Sequence, residues 1–230
     1  MNRILKKLAI FTLIILLVPM GTKASTAEKV VGNLPEAELT LYATEKEGDL
    51  TNFKLTVKGE TYFFPRWLNS PNITYYPKLY YSDTYNDGRK EIVIVLTTDT
   101  GTGVIIQEPH VFHVDNNGDL LEKLVDNPMA IINKNVKTKL SSSKAIVSIG
   151  NEKNKINIKE LNIVPSHLFE NVAIGSTLRF EVIENKLVAK VGLTIAPAGG
   201  SIGEIHIIYT FKDNMYQAKQ INFIPRDELE

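Results

Sequence analysis

The sequence contains no cysteine, so disulfide bonds contribute nothing to the stability of this 230-residue chain. Small exported domains commonly depend on disulfides because they bury too little apolar surface. This chain must instead be held together by a substantial hydrophobic core, and an apolar content of 43% is sufficient to build one. Its single tryptophan, Trp67, is expected to lie in that core, because a large indole ring is costly to expose.

The chain also lacks an excess of either charge, since 26 basic residues balance 26 acidic residues. Domains that bind nucleic acid usually carry a strongly basic surface, which attracts the phosphate backbone. This composition therefore argues against a nucleic-acid partner.

Only one long apolar run is present, from Leu8 to Met20, and it follows a basic N-terminal segment. Its length of about thirteen residues suits a signal peptide and is too short for a membrane span. Thr22 and Ala24 supply the small residues of a cleavage point, so residues 1–24 are predicted to be a signal peptide; an uncleaved anchor is the alternative. Cleavage leaves 22 basic and 26 acidic residues, a formal charge of −4. The mature chain is expected to be secreted, either free or associated with the cell wall, with no membrane attachment.

Apolar and polar residues alternate along most of the remaining chain, for example over 38–44 and 53–57, and glycine turns separate the alternating runs. A period of two residues predicts antiparallel strands. We therefore predict a mainly β fold of antiparallel meanders, blade-like or sandwich-like, with one or two short helices. Residues 25–36 are polar and contain a glycine and a proline, which indicates a flexible leader before a β domain at 37–230.

The two halves of the domain, 37–126 and 140–225, show similar strand and turn patterns. Each contains about four strands within roughly fifty residues, with a glycine-rich turn at Gly101–Gly103 in the first half and at Gly199–Ser201 in the second. Such a period is typical of one blade of a propeller-like meander. The pattern favours two related halves, although chance likeness between β-hairpins is the alternative.

The most apolar pair of strands flanks an acidic loop between residues 83 and 91. Asp83, Asp87 and Glu91 occupy loop positions one, five and nine, and Gly88 at position six permits a sharp turn. Ca²⁺ prefers six to eight oxygen ligands, which carboxylates together with the backbone carbonyl of Arg89 would supply. The alternative is an ordinary turn in which the two aspartates bond backbone amides.

This loop resembles the Asp-x-Asn-x-Asp-Gly-x-x-Glu calcium loop of the FG-GAP and VCBS repeat families, over residues 79–96. The resemblance implies a calcium site formed by Asp83, Asp87, Arg89 and Glu91. One position differs, because Tyr85 stands at position three, where these families have Asp or Asn. The missing ligand implies a weak site.

Over most of its mature length the chain is also similar to a set of uncharacterised secreted proteins of Gram-positive spore formers. The similarity is clearest at 64–67, 75–81, 91–103, 133–139 and 196–199. It implies export and no particular activity.

Two catalytic signals are discounted. Gly199-Gly200-Ser201-Ile202-Gly203 matches Gly-x-Ser-x-Gly, but an alternating strand pattern follows it, whereas the hydrolase elbow needs a helix. His110 and His113 lie three apart in a strand and therefore face opposite sides. Glu108 and His110 share a face, and we interpret them as a surface pair.

These observations favour a non-enzymatic binding or structural module that acts outside the cell, with calcium as its only expected cofactor. An extracellular protein or a wall polymer is the expected partner. A secreted hydrolase of wall or environmental polymer is the alternative. A third possibility is an inhibitor or adhesion module that presents the loops Thr100–Gly103 and Ala198–Gly203.

Overall fold

The computed structural model describes residues 27–115 and 119–229, and strands dominate the described chain. The prediction of a mainly β protein with antiparallel meanders is confirmed. The strands are β1 Glu28–Leu34, β2 Leu39–Lys46, β3 Asp49–Val57, β4 Glu60–Phe64, β5 Lys78–Ser82, β6 Glu91–Gly101, β7 Val104–Val114, β8 Leu120–Val125, β9 Val136–Leu140, β10 Lys144–Ile149, β11 Glu152–Asn157, β12 Ala173–Ile183, β13 Lys186–Thr194, β14 Ser201–Lys212 and β15 Met215–Pro225. The described chain has one α-helix, α1 Pro128–Asn135, and short 3-10 turns at Pro35–Ala37, Ile73–Tyr75, Ile158–Leu161, Pro165–His167 and Arg226–Glu228.

The first four strands form an antiparallel sheet in the order β1-β2-β3-β4. Their alternating residues produce one buried face and one solvated face, as the period of two requires. Trp67 follows β4 and is only 8% exposed, so its predicted core position is confirmed. Its ring stacks on Phe64 with centroids 3.9 Å apart and meets Phe53 edge to face at 5.8 Å.

The predicted flexible leader at 25–36 is wrong for its described part, because β1 pairs with β2 along its length. A register shift between Val30 and Gly32 interrupts the pairing. A bulge of this kind adds a residue and breaks the alternation of faces, which hides the strand in the sequence. Val31 and Leu34 are nevertheless buried, at 4% and 8% exposure, and they anchor the strand on the N-terminal core.

The second sheet contains eight strands in the order β12-β13-β14-β15-β8-β7-β6-β5. A parallel pairing of β12 with β7, at Thr177–Ile105 and Leu178–Ile106, connects the sheet back onto itself. The strands β7, β8, β15, β14, β13 and β12 therefore form a closed ring, the six-strand ring. β5 and β6 extend the sheet from the free side of β7.

The two similar patterns in the sequence correspond to two antiparallel meanders, β5 to β8 and β12 to β15. They are joined edge to edge through the parallel pair of β8 and β15. Both meanders thus belong to one sheet, while β1–β4 and β9–β11 form sheets of their own. The division into related halves at 37–126 and 140–225 stays a prediction.

A cap of α1 and the three-stranded sheet β11-β10-β9 packs against the core of the six-strand ring. The helix begins as its sequence predicts: the Asn127 side chain accepts hydrogen bonds from the backbone N–H groups of Met129 and Ala130, at 2.9 and 3.1 Å. Pro128 occupies the first turn, where no N–H is required. Ile132, on the inner side of the helix, is only 1% exposed.

Two hydrophobic cores result, and β6 contributes to both. Ile92, Ile94 and Leu96 pack with the N-terminal sheet, whereas Val93 and Val95 pack with the six-strand ring. All five are almost fully buried, which explains why this strand reads as a continuous apolar run rather than an alternating one.

The predicted signal peptide at residues 1–24 lies outside the described residues. Within 27–115 and 119–229, no helix has the length and apolar character needed to cross a membrane.

Candidate metal centre

The acidic loop connects β5 to β6 at the place where the sequence predicts it, with strands on both sides. Asp83, just after β5, organises the loop. Its Oδ1 accepts hydrogen bonds from the backbone N–H groups of Asn86 at 2.7 Å and Asp87 at 3.0 Å, and its Oδ2 accepts one from Gly88 at 2.9 Å. Asn86 and Gly88 both have positive φ, at 66° and 86°, so the chain curls tightly around this carboxylate.

Asp87 is held by its neighbour Arg89. The carboxylate accepts hydrogen bonds from the Arg89 backbone N–H at 2.9 Å, from Nε at 3.0 Å and from Nη2 at 2.7 Å. These bonds to Arg89 lower the pKa of Asp87 below its ordinary value, so the group is charged at neutral pH. The Arg89 side chain is 63% exposed, and it covers Asp87 from the solvent side.

Glu91 is the first residue of β6 and is only 2% exposed. Burial raises its pKa, an effect that two hydrogen bonds to the carboxylate partly oppose. Its Oε2 accepts these bonds from the Thr84 hydroxyl and from the Tyr85 backbone N–H, each at 2.9 Å. The carboxylate thus fixes the start of the loop to the start of the following strand.

A buried polar chain continues from Glu91 into the six-strand ring. The Thr84 hydroxyl lies 2.7 Å from the Tyr216 hydroxyl on β15, which in turn lies 3.3 Å from Nε2 of His113 on β7. Because Thr84 donates to Glu91, its oxygen accepts the Tyr216 proton, which leaves the Tyr216 oxygen to accept from His113. No sequence motif indicates this network, since Thr84 and Tyr216 are separated by 132 positions.

Tyr85, at position three of the loop, is not placed as a ligand. Its ring packs against Phe211 edge to face at 4.3 Å and lies 5.5 Å from the His113 ring. Tyr85, which replaces the usual Asp or Asn, therefore anchors the loop on the six-strand ring through aromatic contacts.

The loop does bring three carboxylates together. One oxygen each from Asp83, Asp87 and Glu91 lie within 4.8 Å of one another. Two oxygens on opposite sides of one Ca²⁺ are also about 4.8 Å apart, because each Ca–O distance is about 2.4 Å. The spacing is thus compatible with a single cation, although backbone amides, Thr84 and Arg89 already satisfy much of the acceptor capacity of these groups.

The Gly199–Gly203 segment and the histidines of β7 occupy different environments. Strand β14 follows the Gly199–Gly203 segment, so there is no strand-to-helix elbow. His110 and His113 have different partners: Nδ1 of His110 lies 2.6 Å from Glu122, whereas His113 contacts Tyr216. The predicted surface pairing of His110 with Glu108 is wrong, because His110 is only 8% exposed and its ring lies 4.2 Å from that of Trp67.

Compared with known proteins, the chain matches no protein-family model, and no curated protein shows significant similarity to it. The resemblance of the loop to FG-GAP and VCBS repeats therefore stays an expectation drawn from the loop residues. Functional inference depends on the geometry of the chain itself.

Proposed function

We propose that this chain is a secreted or cell-wall-associated, non-enzymatic binding and structural module that a weakly bound Ca²⁺ stabilises. The observation that carries the calcium proposal is the convergence of Asp83, Asp87 and Glu91 within 4.8 Å. Export is supported by the basic and apolar pattern of residues 1–24.

The position of the loop explains what such an ion would do. Glu91 begins the strand that both cores share, and Asp83 directly follows the preceding strand, β5. A cation between these carboxylates would tie β5 to β6 and would stabilise the folded state, because it binds that state and not the unfolded chain. Without calcium, the Arg89 guanidinium provides the positive charge beside Asp87.

Thermal unfolding with and without calcium tests this proposal. With a Kd on the order of 10⁻³ M, as in weak extracellular sites, about 10 mM CaCl2 contributes about 1.4 kcal/mol. For a domain of this size the expected rise in Tm is about 3 °C. Asp87→Asn keeps the shape of the side chain and should lose this rise. Asp213→Asn, in the exposed β14–β15 turn, is the matched control and should retain it.

Arg89→Ala separates a cation site from an ordinary turn. If calcium and the guanidinium compete for Asp87, removing the guanidinium should make the calcium-induced rise in Tm larger than in the wild type. If the loop is only a hydrogen-bonded turn, Arg89→Ala shows no calcium response. An unchanged wild-type Tm in about 10 mM CaCl2, or an equal rise in the Asp87→Asn variant, would contradict the calcium proposal.

The adhesion alternative is favoured by one specific observation. The loops Thr100–Gly103 and Ala198–Gly203, which are far apart in sequence, line the same cleft at one end of the six-strand ring. A secreted hydrolase stays an alternative prediction, which an assay for release of reducing sugars from wall polymer would test.

A further inference from the structure

Three clefts meet around the loop from Ala196 to Ser201, which connects β13 to β14. Their volumes are about 440, 460 and 730 Å³, each within the range of ligand-binding sites. Two of them share Ala196, Pro197 and Gly199, and two share Ser201 and Arg226. The three clefts adjoin through these shared residues and are together named the 196–201 groove.

The loop that the groove surrounds is firmly held. The Ile195 backbone N–H donates to the Gly200 carbonyl at 2.8 Å, and the Thr194 hydroxyl donates to the Ala196 carbonyl at 3.0 Å. A Cβ at Gly200 would lie only 2.4 Å from the Ala196 nitrogen, so this close approach requires glycine. A site on a preorganised loop loses little conformational entropy when a ligand binds.

An aromatic ring stands beside the loop. Phe169 is 37% exposed, and its backbone N–H donates to the Ile195 carbonyl at 2.9 Å, which fixes its position at the cleft. A partly exposed phenylalanine ring contributes less to the free energy of unfolding than a fully buried one. A flat apolar ring beside hydroxyl groups is suited to the C–H face of a sugar ring.

The charges that line the groove balance. Lys155 and Arg226 are opposed by Glu160 and Asp227. Within the described chain, Lys155 and Asp227 make no side-chain hydrogen bond or ion pair, and Arg226 makes only one long hydrogen bond, to the Gly199 carbonyl at 3.4 Å. The groove therefore offers hydrogen-bond donors and acceptors but carries no net charge that would favour the binding of an ion.

Hydroxyl and amide side chains also line the groove, next to apolar residues, and share this mixed character. Each hydroxyl both donates and accepts, and each amide does the same through two different atoms. The members are Thr102, Ser176, Thr177 and Ser201 together with Asn154, Asn157 and Asn162.

The geometry points to the 196–201 groove as a binding site for an uncharged polysaccharide chain. Sugar hydroxyls are donors and acceptors at once, which matches the polar side chains of the lining, and three adjoining clefts suit a chain of several sugar rings rather than a compact ligand. Phe169 packs against one sugar ring, and Arg226 and Asp227 bond hydroxyls of the same chain. This inference rests on the proposed function as a binding module and names its ligand class.

The groove and the acidic loop lie at opposite ends of β6. This strand starts at Glu91 in the loop and ends at Gly101, next to Thr102 and Gly103, which line the groove. Eleven residues of strand separate them by about 30 Å. Substitutions at the two sites should therefore act independently. Calcium melting reports only on the loop, and sugar binding reports only on the groove, so failure of one proposal is distinguishable from failure of the other.

The test is titration of the ¹⁵N-labelled full chain with cellohexaose, chitohexaose and a heparin hexasaccharide, each to about 10 mM, which detects millimolar affinity. We expect the amide signals of Gly103, Gly192, Gly199 and Gly200 to shift with at least one uncharged sugar. Phe169→Ala should weaken that binding about tenfold. Phe63→Ala removes another exposed ring, at 71% exposure on β4, and should leave the binding unchanged.

Three results would overturn the inference. One is the absence of glycine shifts with both uncharged sugars. Another is a response to the heparin hexasaccharide alone, which would indicate an anion site. The third is equal loss of binding in Phe169→Ala and Phe63→Ala, with both variants shown to be folded by their melting curves.

Discussion

The buried environment of the Glu91 carboxylate disfavours its charged form. It is 2% exposed, and burial raises its pKa, although hydrogen bonds from Thr84 and Tyr85 favour the charged form. Asp83 lies nearby and adds repulsion. A folded-state pKa above the unfolded value means that the native state binds the proton more tightly. Stability from this group is therefore complete below the unfolded pKa of about 4.3 and is lost as pH rises through the folded pKa.

Glu91→Gln should remove this pH dependence. The glutamine oxygen can accept the same two hydrogen bonds, and the side chain stays neutral at every pH. We expect the unfolding free energy of the variant, relative to wild type, to increase as pH rises from about 4 to about 7. Urea denaturation in calcium-free buffer measures this difference in unfolding free energy. Glu36→Gln, on an exposed turn, serves as control, and a difference that stays constant with pH would contradict the prediction.

At the level of secondary structure, the six-strand ring has a discontinuous seam along β7. This strand pairs with β8 through residues 111–114 and with β12 through 105–106, which leaves 107–110 without a strand partner on that edge. The Gln107 side chain spans the gap: its Oε1 accepts from the Phe180 backbone N–H at 2.8 Å, and its Nε2 donates to the Thr97 hydroxyl at 3.3 Å. A buried amide side chain thus replaces one missing ladder bond.

Gln107→Ala should therefore destabilise the ring. It leaves the buried Phe180 N–H without an acceptor, and an unpaired buried amide costs about 1–3 kcal/mol. Urea denaturation should show this loss, and hydrogen exchange at Phe180 should accelerate. Gln220→Ala, an exposed glutamine on β15, should change stability by less than about 0.5 kcal/mol. Equal stability of the two variants would show that Gln107 does not hold the seam.

On the scale of the whole molecule, β6 makes one cooperative unit out of two cores. Its side chains alternate between the N-terminal sheet and the six-strand ring. If β6 separated from one core, the apolar side chains that it buries in the other core would also become exposed to water. We therefore expect the described chain to unfold in a single transition.

Ile94→Ala tests this coupling, because Ile94 is fully buried and faces the N-terminal core. The cavity should cost about 2–5 kcal/mol. Trp67 fluorescence reports on the N-terminal core, and the amide NMR signals of Tyr209 and Tyr216, which are buried, report on the six-strand ring. Both midpoints should fall equally in urea. A shift in the Trp67 signal alone would show two independent units.

The sequence predicts well the strands that contain a long alternating stretch. β2 alternates over 39–43 and β3 over 53–57, although a register shift near Tyr42 and Thr44 interrupts their pairing. The acidic loop with its flanking strands is placed correctly, because turn chemistry and apolar runs are local signals. β1 was missed because a bulge near Gly32 breaks its pattern. The loop spacing identifies Glu91 as an acid, but its connection through the Thr84 hydroxyl to Tyr216 has no local signal, because Tyr216 comes from the far end of the chain.

The sequence by itself determined that this chain needs a real core, that it folds mainly as antiparallel strands and that three acids occupy one turn. Each follows from composition or from spacing over a few residues. Only the tertiary structure decided that β12 pairs with β7, that β6 serves two cores and that two distant loops share a groove. Those contacts join residues far apart in the chain, and no local preference specifies which strand edges meet.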